Sequence, residues 1–176
     1  MKYRILIVVI LFVVFGCKKE FNTSKLKQEI LFEATYMNYA WVYQHRGFMV
    51  DSAGRVRSYN LPKDWNFVDS DGFITSAAMK ENINKLNQTS VTVNKDTLLS
   101  YYNKLPSAAR GEITIPNTVM ADAGTASYWG YIFDSKTERY QRVLLNQFGD
   151  VYSENKSTEA KEIYNWLIRI NSQAKK

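Results

Sequence analysis

Few residues in this chain are equipped for chemistry. There is one histidine, His45, and one cysteine, Cys17. Nucleophilic catalysis of the usual kind sets a base beside a serine or cysteine, and one imidazole supplies at most one such base. No Gly-x-Ser-x-Gly, His-Glu-x-x-His or phosphate-loop pattern occurs. His45 stands among strand formers and reads as a polar strand residue. Asp69-Ser-Asp-Gly-Phe-Ile74 imitates the middle of a calcium loop. With Gly72 at the sixth position, however, Phe67 and Ala78 occupy the first and twelfth, so the first ligand and the bidentate glutamate are missing. A turn before a helix is the better reading, and no metal or other cofactor is expected. One hydrolytic route remains, a carboxylate pair such as Asp51 with Asp69 acting on a glycoside, which the fold would have to bring together.

Aromatic side chains are more plentiful. Beyond the first seventeen residues there are four tryptophans, Trp41, Trp65, Trp129 and Trp166, and eleven tyrosines. A flat apolar ring with a polar tip suits protein or sugar recognition, and it serves equally well in core and sheet packing. If the chain has a binding surface, it belongs on a sheet face left open by helices, around Tyr43, His45, Tyr59 and Trp65.

The N-terminal segment carries a separate signal. Lys2 and Arg4 precede an unbroken apolar run from Ile5 to Phe15. As a helix the run would be roughly 16 Å long, about half of a ~30 Å hydrocarbon core, which suits an export signal and not a membrane span. It ends Val14-Phe15-Gly16-Cys17. This end resembles the lipobox of bacterial lipoproteins, with an apolar residue at −3, a small one at −1 and an obligatory cysteine. The resemblance implies that residues 1–16 are a cleaved signal peptide and that Cys17 becomes the acylated N-terminus, bearing diacylglycerol with palmitate-like chains. Residues 17–23 are then a tether and 24–176 a single domain. Lys18 after the cysteine, and the run Lys18-Lys19-Glu20, imply an outer-membrane lipoprotein facing the periplasm or the cell surface. The physics agrees: a lone cysteine excludes an intrachain disulfide, and two or more acyl chains hold a protein lastingly at a membrane.

Without Lys2 and Arg4 the chain keeps 21 Lys and Arg against 17 Asp and Glu. That small excess is scattered, with no basic stripe interleaved with aromatics, so nucleic acid is not an expected partner. The expected partners are the membrane, through Cys17, and an envelope protein or glycan.

These groups need a scaffold, and its clearest element is a hairpin. Phe48-Met49-Val50 leads into Asp51-Ser-Ala-Gly54, and an alternating strand follows through Val56 and Tyr59. Gly54 can supply a positive φ, and Asp51 can bond forward to the backbone. Upstream, Leu26, Ile30, Leu31, Ala34 and Met37 predict a helix capped by Thr23 or Ser24. Tyr39 to Tyr43 predict a strand that reaches a bulge or bend at Gly47. Downstream, Thr75 or Ser76 caps a helix through Leu86. Asn94 opens another, which Pro106 ends. Ser127 to Phe133 is a strand, Asp134 to Thr137 a turn, and Glu138 to Leu145 its partner. Asn146 to Gly149 turns into a third strand through Val151. Ser157 caps a last helix with an apolar stripe of Ala160, Ile163, Tyr164, Leu167 and Ile170.

At an offset of 95, Val50–Asn60 overlies Leu145–Asn155 with four of eleven identities: Gly54/Gly149, Val56/Val151, Ser58/Ser153 and Asn60/Asn155. An internal duplication of a strand-turn-strand-helix unit would give this, and so would convergence of turn residues. Short turns between successive strands predict an α+β fold, an antiparallel sheet of hairpins and meanders with helices covering one face. The function expected is that of a membrane-anchored, non-enzymatic binding domain of the cell envelope. The alternatives are a tethered hydrolase inhibitor that plugs a cleft with Asp51–Gly54, and a carboxylate-based hydrolase of cell-wall glycans.

Overall fold

The structure, a computed structural model, describes residues 28–40 and 42–174. Cys17, the expected signal segment and tether, Trp41 and the terminal lysines lie outside these residues. The described chain is α+β, with nine antiparallel strands in one open sheet. In chain order these are β1 (Ile30–Asn38), β2 (Gln44–Asp51), β3 (Arg55–Asn60) and β4 (Phe73–Thr75), then β5 (Asn87–Thr92), β6 (Asn117–Thr118), β7 (Thr125–Asp134), β8 (Arg139–Gly149) and β9 (Val151–Glu154). The spatial order is β5-β3-β2-β1-β7-β8-β9-β6, with β4 also pairing β8. The helices are α1 (Ser76–Ile83), α2 (Lys95–Tyr102), the short α3 (Leu105–Ala108) and α4 (Thr158–Ala174).

β1 lies in the middle of the sheet, between β2 and β7. The sequence there predicts a helix, and the structure corrects this. Ile30, Leu31 and Phe32 are shut from solvent, as a strand covered on both faces must be. Such a strand reads as a continuous apolar run, which periodicity does not separate from a buried helix. Tyr39, Ala40, Val42 and Tyr43 are also reassigned, from strand to the connection between β1 and β2. Four boundaries differ from the reading of the sequence. Asn87 to Thr92 pair with β3, Pro106 sits in the first turn of α3, β6 interrupts the 107–125 connection, and β8 runs on to Gly149.

Gln28 fixes the first end of β1. Its side-chain nitrogen donates to the carbonyls of Ile30 (2.7 Å) and Tyr131 (2.8 Å), and its oxygen accepts from the Tyr102 hydroxyl (2.7 Å) and the Phe133 amide (3.1 Å). The β2–β3 hairpin forms as its residues predict. Gly54 has φ +82°, and the buried Asp51 carboxylate accepts from the amides of Ala53 and Arg55. Thr75, Asn94 and Ser157 cap α1, α2 and α4.

One sheet face is apolar and covered. Phe32, Val50, Val56, Val143 and Leu145 pack beneath Ile163, Trp166, Leu167 and Ile170 of α4, with Leu98 of α2 and Leu105 of α3 alongside. Trp166 is held between Tyr101, stacked at 4.4 Å, and the edge of Phe32 at 5.1 Å. A smaller cluster lies on the opposite face, where Met79, Ile83 and Leu86 of the α1 segment meet Ile30, Met49, Tyr59, Tyr131 and Tyr140. So α4, α2 and α3 cover one face, α1 covers part of the other, and the rest of that second face is open. No helix among the described residues is long and apolar enough to cross a membrane.

The two hairpins of the apparent repeat differ in register. Val50 faces Val56 in the first, whereas in the second Asn146 faces Glu154 and Gln147 faces Ser153. Leu145, the counterpart of Val50, accepts instead from the Asn155 amide. The aligned identities therefore do not hold equivalent places in the two ladders.

Candidate functional site

Alternation along the central strands lays out the open face. Glu33, Thr35 and Met37 of β1 point to it, flanked by Met49, Gly47 and His45 of β2 and by Trp129, Ser127 and Thr125 of β7. Gly47 is regular strand and not a bulge. A Cβ there would come within 2.2 Å of the Ala34 carbonyl oxygen and 2.7 Å of the Tyr59 hydroxyl. The missing side chain is the gap through which Tyr59 reaches across β2 to β1.

What Tyr59 reaches is Glu33, a carboxylate only 4% exposed in the middle of the sheet. The Tyr59 hydroxyl donates to one Glu33 oxygen at 2.6 Å and the Tyr131 hydroxyl to the other at 2.5 Å. Burial raises the Glu33 pKa above its ordinary value, and the two phenol hydrogen bonds and the nearby Arg142 charge only partly offset this. Burial also pushes both tyrosines well above the usual phenol value, and the Glu33 charge adds to the effect. Both carboxylate oxygens have a donor, and the unit is sealed from solvent.

Toward the turn between β1 and β2 the face becomes aromatic. Tyr43, His45, Tyr59 and Trp65 meet here, as the sequence suggests. The His45 ring lies 5.1 Å from Tyr59, 5.4 Å from Trp65, 5.5 Å from Phe67 and 6.3 Å from Tyr43. Tyr59 and Trp65 are 4.5 Å apart. The rings bury His45 near the start of β2, an interior strand, and that burial lowers its pKa. Only part of the group faces outward: His45 and Tyr59 are wall, Trp65 is half-buried, and Tyr43 and Phe67 are exposed. Tyr39, Val42 and Leu61 extend the exposed patch, and Tyr39 packs on Tyr43 at 5.3 Å.

The loop bearing Trp65 and Phe67 is pinned to α1. The Asn66 amide donates to the Asn82 side-chain oxygen at 2.9 Å, and the Asn82 side chain returns a bond to the Asn66 carbonyl at 2.7 Å. Asn82 is buried, so a closed amide pair holds the exposed ring on a fixed support.

Asp51 and Asp69 are each committed locally. Asp51 serves its turn and pairs with Arg55 at 2.7 Å. Asp69 accepts from the amides of Asp71 (3.1 Å) and Phe73 (2.8 Å) and pairs with Arg139. The Phe73 amide leads in holding the Asp69 pKa below the ordinary carboxylate value. Among the described residues no three His, Cys, Asp or Glu side chains are grouped to hold a metal ion.

Glu33, Phe67, Tyr131 and Arg142 are absent from the sequence-derived site. Glu33 had one visible sign, a charge inside the apolar run Ile30-Leu-Phe-Glu-Ala34. Fold and site together define an open α+β sheet domain with an aromatic rim at one end. Comparison with family models, curated proteins and solved structures finds no match to this chain.

Proposed function

We propose that this chain is an outer-membrane lipoprotein, anchored through Cys17, whose α+β domain is a non-enzymatic binding module for an envelope protein or glycan. The observation that carries the binding role is the exposed rim of Tyr39, Val42, Tyr43, Leu61 and Phe67. Exposed apolar groups grouped in this way mark interaction sites more often than scattered ones do. The rim lies at the end of β1 opposite Gln28, where the described chain begins.

The non-enzymatic part of the reading rests on the surroundings of His45. Its neighbours are aromatic rings, and neither a serine nor a carboxylate is bonded to it among the described residues. The inhibitor alternative has less support, because Asp51 and Gly54 are buried and Val93 bonds to the Gly54 carbonyl. That turn does not project as a plug.

Two experiments test the proposal. Cys17→Ser is expected to abolish acyl labelling and release the chain from membranes, and unchanged labelling would refute the anchor. Tyr43→Ala with Phe67→Ala is expected to lower capture of the envelope partner at least tenfold with the fold intact. Undiminished capture would remove the rim from the account.

A further inference from the structure

Beside the rim the open face sinks into a cavity of about 640 Å³ at the ends of β1, β7 and β8. That volume is within the range of small-ligand sites. Its walls include Thr35, Tyr39, Ser127, Trp129, Arg142 and Gln147. Tyr39 belongs to both wall and rim, so the two features are continuous.

Arg142 sets the chemistry. Its guanidinium lies over the Trp129 ring, 3.9 Å from the centroid, a stack that fixes its plane. It forms no salt bridge and no side-chain hydrogen bond with any described residue; the ion pairs present all involve other groups. The buried carboxylate of the same face, Glu33, is already bonded through both oxygens to Tyr59 and Tyr131. Beneath the stack, the Trp129 indole N–H is closed to solvent and has no partner. A half-buried guanidinium fork without an acceptor is complementary to a carboxylate, which it grips through two parallel bonds.

Two acidic residues also line the cavity. Asp150 is spent on the backbone amides of Ala123 (2.8 Å) and Gly124 (2.9 Å). Asp122 lies in the adjoining turn with φ +66° and is exposed, where solvent screens its charge. The Thr35 hydroxyl is closed off, and the polar groups left to a ligand include Thr125, Ser127 and Gln147, which suit ligand hydroxyls. Tyr39 offers an aromatic face of the kind that sugar rings pack against.

From these groups we propose that the cavity binds an acidic sugar unit of a glycan, with Arg142 on its carboxylate, Thr125, Ser127 and Gln147 on its hydroxyls, and Tyr39 against the ring. This rests on the binding-module reading and gives it a ligand class.

The test uses the full-length lipoprotein in detergent micelles. Trigalacturonate is titrated against its methyl ester by calorimetry, and 5-fluorotryptophan labelling reports on Trp129. The acid is expected to bind at least tenfold more tightly than the ester and to shift the Trp129 resonance. Arg142→Gln should weaken binding at least tenfold, and Arg142→Lys, which keeps the charge without the fork, by less. Tyr39→Ala, at an exposed position that the fold does not need, should weaken binding severalfold and serves as the second variant if Arg142→Gln does not fold. Equal binding of acid and ester, an unmoved Trp129 resonance, or undiminished binding by Arg142→Gln or Tyr39→Ala would each overturn the proposal. Partner capture that still depends on Phe67 in the face of those results would overturn the ligand alone and leave the rim standing.

Discussion

The two faces of the sheet come from alternate residues of the same strands, yet they are organised in opposite ways. Phe32, Val50 and Leu145 point under α4 into a closely packed, largely apolar layer. Glu33, His45 and Arg142 point the other way, and each creates a polar demand that the face meets differently. Glu33 is answered by two tyrosines from β3 and β7, His45 by a wall of rings, and Arg142 by one aromatic stack with its N–H groups left over. The covered face supplies stability. The open face holds groups that an apolar layer would have made simpler, and such departures concentrate where a protein does its work.

Substitutions can break this contrast, beginning with the covered face. Leu167 is fully buried in α4, and Leu167→Ala is expected to cost about 2–5 kcal/mol in urea unfolding. A smaller loss would mean that α4 is loosely packed. On the open face Gly47→Ala should cost about 1–3 kcal/mol by overpacking. Tyr59→Phe should not rescue it, because the closest obstacle is the Ala34 backbone carbonyl.

The next two predictions sharpen the contrast through pH. The folded-state pKa of Glu33 is raised above the ordinary 4.5. Between that value and the raised one, the folded chain holds a proton that the unfolded chain has lost. Glu33 therefore favours the fold below 4.5, and this contribution is lost as pH rises, with a slope of at most ~1.4 kcal/mol per pH unit. Glu33→Gln should flatten that part of the stability–pH curve, and an unchanged curve would contradict the assignment. His45 runs the opposite way, because burial lowers its pKa from 6.5. Its contribution is complete above 6.5 and is lost as pH falls through the lowered value, and His45→Phe should remove that loss. The smallest effect on stability belongs to the rim, where Phe67→Ala should stay within about 0.5 kcal/mol of wild type by thermal unfolding.

How much of this was legible in the sequence depends on the distance over which each feature is decided. The Asp51–Gly54 turn and the caps at Thr75, Asn94 and Ser157 are settled within a few residues, and all could be read. The aromatic grouping of Tyr43, His45, Tyr59 and Trp65 was also legible, because the hairpin register puts His45 and Tyr59 on one face. β1 was not, since burial on both sides erased the alternation that marks a strand. Glu33 was hidden for the same reason and one more: its partners stand 26 and 98 residues away. Arg142 and Trp129 meet only because the pairing of β7 with β8 brings them together, which no local pattern announces.

The most direct test of the central claim sets the two ends of the open sheet against each other in the living envelope. A photo-crosslinking amino acid is placed at Phe67 on the rim or at Lys136, exposed in the turn between β7 and β8 at the opposite end. The account predicts a discrete partner adduct from position 67, lost when Tyr43→Ala is added, and none from position 136. Equal adducts from both positions, or an adduct from position 136 alone, would contradict it.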